Sequence, residues 1–291
     1  MGKKKKAKKV KETEQLEPQY FTTFVNMTVF NYNVYYMSKK EKMFYSLFAF
    51  VIGGFIGNLF YGGFFKNSFG DPTLLTYVSN IIVFVLIGTL SVKLFLPIRV
   101  NQIIEKRKHM LKLQFKDMLE SFNTSLGAGK NVIDSFLAVK EDLKVQYEAD
   151  ADIIKELEVI VAGIDNNVPV EDILEDFGKR SGIEDIQDFA NVFRTCYRKG
   201  GNIKDTVRST HSILSEKMDI MEDIQTVVTS TKSEQNMMLV MPIALVGLIK
   251  ISSPEFASNF ATLPGFISTT LAMLMFIISY YIGKSILNIK I

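Results

Sequence analysis

Residues 43–65 read MFYSLFAFVIGGFIGNLFYGGFF, 23 positions without a charge. That is close to the roughly 20 apolar residues a helix needs to cross a bilayer. This stretch decides the class of the protein, because a helix on a water-facing surface keeps a polar side. Three more apolar runs follow. Residues 74–96 carry one charge, Lys93, and residues 265–283 carry none. Residues 237–249 are only 13 long and include Pro242. By length alone that run is a span or a buried core helix. An amphipathic helix feeding into it from Lys204, with Ile251, Phe256 and Phe260 beyond it, favours a span. Lys93 and Lys250 stand near span ends, where a long stem carries the ammonium to the interface.

The basic flanks orient the chain. Residues 1–42 hold ten Lys and four Glu, and Arg99, Lys106, Arg107 and Lys108 open the segment after the second run. Lys284 and Lys290 follow the last run. The connection 66–73 has one Lys and one Asp, and 252–264 has only Glu255. Both termini and the central block are therefore expected in the cytoplasm. The run Lys3–Lys9 lacks the apolar core and small-residue site of a cleaved signal. It reads as a basic tail near anionic head groups. Phe21, Phe24, Tyr32, Tyr35 and Tyr36 recur at near-helical spacing. Residues 20–37 are expected to be an interfacial amphipathic helix or a short helix packed on protein.

Residues 99–235 hold 19 basic and 25 acidic side chains, enough chain for one core. No alternating β-branched runs stand out, and six helical stretches do. Leu111, Phe115, Met118, Leu119, Phe122 and Leu126 form one stripe, stopped by Gly127 and Gly129. A second helix carries Val132, Ile133, Phe136, Leu137 and Leu143. A third, over about 151–166, carries Ile153, Leu157, Ile160, Val161 and Ile164. Pro169 suits the first turn of a fourth, with Val170, Ile173, Leu174 and Phe177 inward. The fifth carries Ile186, Phe189, Ala190, Phe193 and Tyr197. Gly200-Gly201-Asn202 is then a corner. Gly200 closes one helix in the left-handed region and Asn202 caps the next, with Asp205 three residues on. The sixth helix repeats Ile203, Val207, Thr210, Leu214, Met218 and Met221, and runs into the third span. The expected organisation is all-α. It comprises a tail and interfacial helix (1–42), two spans (43–97), a cytoplasmic helical domain (98–235) and two spans (236–291).

Little in the block points to catalysis. Two histidines, His109 and His211, and one cysteine, Cys196, give no zinc spacing and no internal disulfide. Asp150-x-Asp152 lacks the glycine and distal glutamate of a calcium loop. Gly127-Ala128-Gly129-Lys130 follows a helix and lacks the spacing of a phosphate loop. No metal, cofactor or catalytic residue is expected. Arg180 and Arg194 are buried or at a partner face. Residues 148–188 hold 13 acids against Lys155, Lys179 and Arg180. They form either a docking face for a basic partner, centred on Glu171, Asp172, Glu175 and Asp176, or a solvated set of helix faces. The acidic balance argues against nucleic acid. Gly53 and Gly57 make a G-x-x-x-G pair, either a close helix contact in the membrane or incidental glycine.

Several segments together resemble a known family. They are QFKDML at 114–119, SLGAG at 125–129, VPVEDIL at 168–174, Arg180, and GGNI at 200–203. The block resembles the F domain of type II secretion and type IV pilus machinery, and more narrowly the small platform proteins of Tad (Flp pilus) systems. The family often has Pro where Phe115 or Lys116 stands, and Arg where Gly127 stands. The resemblance implies one F-type six-helix bundle between the second and third of four spans, in a bacterial cytoplasmic membrane. Asp117, Gly127, Gly129, Pro169, Gly200, Gly201 and Asn202 would be its structural motif positions. It implies a non-enzyme. Its partners would be membrane lipids, a hexameric secretion ATPase, pilin or pseudopilin subunits, and itself or a paralogue. Two other classes compete. A transporter would use Asn58 and Asn80 within the spans, and a signalling protein would use the sixth helix as a lever.

Overall fold

The computed structural model describes residues 18–23, 26–65 and 72–287. The basic run Lys3–Lys9, Phe24, Lys66, Asp71 and Lys290 fall outside them. In chain order the elements are β1 (Tyr20–Thr22), β2 (Thr28–Phe30), α1 (Lys39–Tyr61), α2 (Leu74–Gly127), α3 (Val132–Gln146), α4 (Asp152–Asp165), α5 (Val170–Ser181), α6 (Glu184–Lys199), α7 (Ile203–Ser252), α8 (Pro254–Asn259) and α9 (Leu263–Leu287). The described chain is mainly helical, with strand confined to two three-residue segments.

Four helices are long and apolar enough to cross a membrane: α1, the first part of α2, the later part of α7, and α9. Pro242 lies inside α7 without ending it, so the short third run is part of a continuous helix. At about 1.5 Å per residue, the 54 residues of α2 extend roughly 80 Å and the 50 of α7 roughly 75 Å. A bilayer core is only about 30 Å thick. Both helices therefore have as much length outside a membrane as in it.

The chain divides into two compact units, one of Met1–Tyr36 with Lys106–Arg208, the other of Met37–Glu105 with Ser209–Ile291. The boundaries differ from the block expected at 98–235, because α7 beyond Arg208 groups with the apolar helices. In the first unit, Leu111, Phe115, Met118, Leu119 and Phe122 on α2 are fully buried. They meet Phe136 of α3, Phe177 of α5 and Phe189 of α6, and Phe136 and Phe189 pack on Phe193 of α6. Phe122 and Phe136 stack at 4.3 Å, and Phe115 lies 5.6 Å edge-on to Phe189. Each buried Phe contributes about 1.5–3 kcal/mol by leaving water. α4 buries Ile153, Ile154, Leu157, Val159, Ile160 and Val161, wrapping most of its circumference in the core. On α3, Phe136, Val139 and Leu143 turn inward, while Ile133 and Leu137 are exposed. The i, i+3, i+7 spacing chose the buried face there, not the apolar content.

The segment 20–37 is not a helix. β1 and β2 pair antiparallel, Tyr20 opposite Phe30 and Thr22 opposite Thr28. Asn26, at φ 59°, turns the chain between them, and its N–H donates to Thr23 O. The hairpin and the residues after it pack on protein, with Val29 at 4% and Tyr32 at 1% exposure. β-Branched and aromatic residues flanking a turn-forming Asn were the available sign. The recurrence of aromatics hid it.

In the second unit α1 and α2 form an antiparallel pair. Arg99 Nη2 donates to Tyr45 Oη (3.3 Å) at one end, and Gly63 N–H donates to Asn80 Oδ1 (2.9 Å) at the other. Between them a Cβ on Gly53 would overlap Ser91, and one on Gly57 would come within 2.7 Å of Ile87. The small residues let these helices approach closely. The Tyr61 ring lies tilted against Phe266 of α9, 5.4 Å between centres, and its hydroxyl donates to Thr270 Oγ1 (3.3 Å). The end of α1 and the start of α9 thus lie at the same end of this unit. Lys250 lies 4.7 Å from the centre of the Phe260 ring.

Candidate functional site

The acids read as a docking face are taken up inside the first unit. Glu171 accepts from Arg198 Nε (3.0 Å), and Asp172 from Arg194 Nη2 (3.0 Å). Glu175 pairs with Arg194 and with Lys179, and Asp176 accepts from Arg180 Nε (2.7 Å). Glu171 is itself buried. The reason is geometric. α5 presents its acids, one turn apart, to the basic residues of α6. Glu171, Asp172 and Glu175 therefore cross-link α5 to α6, and Asp176 pairs with Arg180 on α5 itself; Glu171 is buried and the other three are partly exposed. The exposed acids of the stretch include Glu148, Glu158 and Asp188.

Arg180 is the centre of a buried polar network. Its Nη1 and Nη2 donate to Oε1 (2.9 Å) and Oε2 (2.7 Å) of Glu156 on α4. Nη1 also reaches the carbonyl of Phe30 (3.2 Å). Tyr32 Oη donates to Glu156 Oε1 (2.9 Å), and Tyr32 N–H donates to the Arg180 carbonyl (3.1 Å). Burial opposes the charge of Arg180, but the bonds and charges of Glu156 and Asp176 together outweigh it and hold its pKa above the ordinary value. Burial, with Glu156 beside it, pushes the Tyr32 hydroxyl well above the usual tyrosine range. The network binds the N-terminal hairpin to α4 and α5.

A second bridge flanks it. Arg107 on α2 donates through Nε (3.0 Å) and Nη2 (2.9 Å) to Asp152 at the start of α4. Its guanidinium also lies 4.2 Å from the centre of the Phe30 ring. Lys112 pairs with Asp185 at 2.7 Å, joining α2 to α6. Asp117 accepts from the hydroxyl of Tyr147 and from Gln146 Nε2 (3.3 Å), which fixes the end of α3 on α2. Burial and the Asp117 carboxylate raise the Tyr147 pKa.

The remaining motif positions are turns. Gly127 ends α2 and Gly129 follows at φ 86°, with open space around each. Pro169 stands immediately before α5. Gly200 closes α6 at φ 71°, and its N–H donates to Cys196 O. The Gly201 N–H also donates to Cys196 O (2.7 Å). Asn202 Oδ1 accepts from Asp205 N–H (3.2 Å) at the start of α7. His211 lies on α7 with its Nε2 buried and without a hydrogen-bond partner. Among the described residues no cluster of three His, Cys, Asp or Glu is placed to hold a metal.

These sites hold elements together. Local sequence showed the capped corner but not the Arg180–Glu156–Tyr32 network. One clue was present, since Glu156 stands between Ile153, Leu157 and Ile160 on an otherwise apolar face. Comparison with protein-family models, curated proteins and solved structures returned no match.

Proposed function

We propose that this chain is an inner-membrane platform protein of a Tad, type IV pilus or type II secretion machine. In this reading both termini and an F-type bundle built on α2–α7 are cytoplasmic. The bundle meets a secretion ATPase, and the membrane helices hand pilin or pseudopilin subunits from the bilayer to a filament. The observation that carries the reading is the pair of continuous helices, α2 and α7. Each is more than twice as long as a bilayer core is thick. A displacement of the helical unit would pass through two unbroken backbones instead of flexible linkers. The motif order at 114–119, 125–129, 168–174 and 200–203 supports the same assignment. The transport alternative draws less support, since Asn80 is engaged by the Gly63 N–H.

The test is to interrupt the coupling without unfolding either unit. Four glycines inserted after Asn101 break helical continuity in α2. The variant is expected to reach the membrane at normal level while filament assembly or secretion falls to background. Filaments and secretion unchanged by deletion of the whole chain would reject the reading. For topology, an externally added thiol reagent should label Ser258→Cys and spare Asn166→Cys in a Cys196→Ser background. Labelling at position 166 in intact cells reverses the orientation.

A further inference from the structure

A groove of about 320 Å³ runs between α1 and α2. Phe48, Ile52 and Ile56 line it from α1, and Leu94, Phe95 and Ile98 from α2. Among the described residues lining it, Ser91 alone has a polar side chain. The α1 set is spaced i, i+4, i+8, and the α2 set with Ser91 is spaced i, i+3, i+4, i+7, so each is a single helix face. Continuing those faces by one turn reaches Tyr45 on α1 and Arg99 and Gln102 on α2. Arg99 Nη1 donates to Gln102 Oε1 (3.1 Å) and Nη2 to Tyr45 Oη (3.3 Å). The guanidinium centre is 5.2 Å from the Tyr45 ring centre. The Arg99 Nε is buried and has no partner, so the second N–H of each Nη is what remains for a ligand. Tyr45 accepts from Arg99, so its own proton remains to be donated. Lys42, three residues before Tyr45, is exposed on the same face.

The level of this cluster follows from helix length. Tyr45 and Tyr61 are separated by about 24 Å along α1, and Arg99 and Asn80 by about 28 Å along α2. Those spans match a hydrocarbon core of about 30 Å. Tyr45 and Arg99 therefore stand at one hydrocarbon boundary, with the apolar groove directly inside it. A guanidinium fork at that depth suits a phosphate, which it meets with two donors. The groove below suits an acyl chain.

We propose that Arg99, Tyr45 and Lys42 hold the phosphate of an anionic phospholipid whose acyl chain lies in the α1–α2 groove. One molecule then pairs with the charge of the arginine and fills the groove, whereas a free anion meets only the first need. The site does not depend on the secretion reading.

The test uses the full chain in nanodiscs of mixed phosphatidylglycerol and phosphatidylcholine, followed by native mass spectrometry of retained lipid. The wild type is expected to retain one phosphatidylglycerol in preference to phosphatidylcholine. Arg99→Gln should lower that occupancy about tenfold, the loss of one charge-assisted contact. Ile52→Trp, which keeps Arg99 and obstructs the groove, should also lower it at an unchanged melting temperature. Lys93→Gln, a charge outside the groove, should leave it intact. Equal retention of the two lipids, or full phosphatidylglycerol retention by Arg99→Gln, overturns the proposal. Displacement by inorganic phosphate would make it a free-anion site instead. A changed oligomeric mass in Ile52→Trp, with lipid retained, would make the groove a contact between copies of this chain.

Discussion

Arg180 on α5 and Glu156 on α4 meet through two parallel N–H to O bonds of 2.9 and 2.7 Å, with side chains only 4% and 2% exposed. Both charges have left water, and each is tolerable only because the other is present. The pair also receives Tyr32, so three segments distant in sequence depend on one contact.

Removing one partner should be far worse than removing both. Arg180→Met leaves Glu156 charged in the core and is expected to cost about 3–5 kcal/mol. The double replacement Glu156→Leu with Arg180→Met should recover much of that loss. Chemical denaturation of the purified protein, analysed as a double-mutant cycle, measures the coupling. Additive losses would show that the two charges do not depend on each other.

Alkaline pH should loosen the hairpin. The folded protein holds the Tyr32 proton above its usual pKa, so at high pH the native state binds more protons than the unfolded state. The stabilisation is fully present below about pH 10, where an unfolded tyrosine titrates. It declines above that by up to about 1.4 kcal/mol per pH unit per tyrosine. Tyr147, raised in the same direction, adds to the slope. Tyr32→Phe and Tyr147→Phe should each flatten the fall of melting temperature between pH 10 and 11.5. An unaltered pH profile in both variants would assign the alkaline loss to other groups.

The Gly200 corner isolates backbone strain from packing. Its φ is 71°, and a Cβ there would meet nothing within 4 Å. Gly200→Ala should therefore cost about 1–2 kcal/mol from conformation alone. Gly200→Val should cost more, and Gly200→Asn less. The melting temperatures should fall from the asparagine to the alanine to the valine variant. Equal stability of the valine and asparagine variants would contradict a left-handed conformation at this residue.

The internal pairing of α5 acids separates stability from docking. Reversing Glu171, Asp172, Glu175 and Asp176 together should lower the melting temperature, because Arg198 and Arg194 lose their partners and Arg180 loses Asp176. Reversing the exposed Glu148, Glu158 and Asp188 should change stability by no more than about 0.5 kcal/mol each. If a basic partner docks on this stretch, the second set should weaken co-purification most at low salt. Partner capture unchanged by the second set would mean that these exposed acids are only solvated.

Much of the architecture was legible because it depends on local properties. Length and apolarity mark α1, α2, α7 and α9 wherever the rest of the chain lies. The stripe from Leu111 to Phe122 follows from a 3.6-residue period. Gly200 and Asn202 act within one turn of their own backbone. The hairpin at Tyr20–Phe30 was misread because aromatics at helical spacing fit either structure, and strand pairing needs a partner that periodicity does not name.

By itself the sequence determined which segments are apolar helices, where α6 gives way to α7, and which flanks are basic. Tertiary structure alone decided that Glu156 meets Arg180, that the α5 acids face α6, and that Arg99 closes a groove with Tyr45. Helix formation and transfer out of water are summed along neighbouring residues. Pairing of buried charges depends on which faces meet after distant segments close on one core, and no local window contains that information.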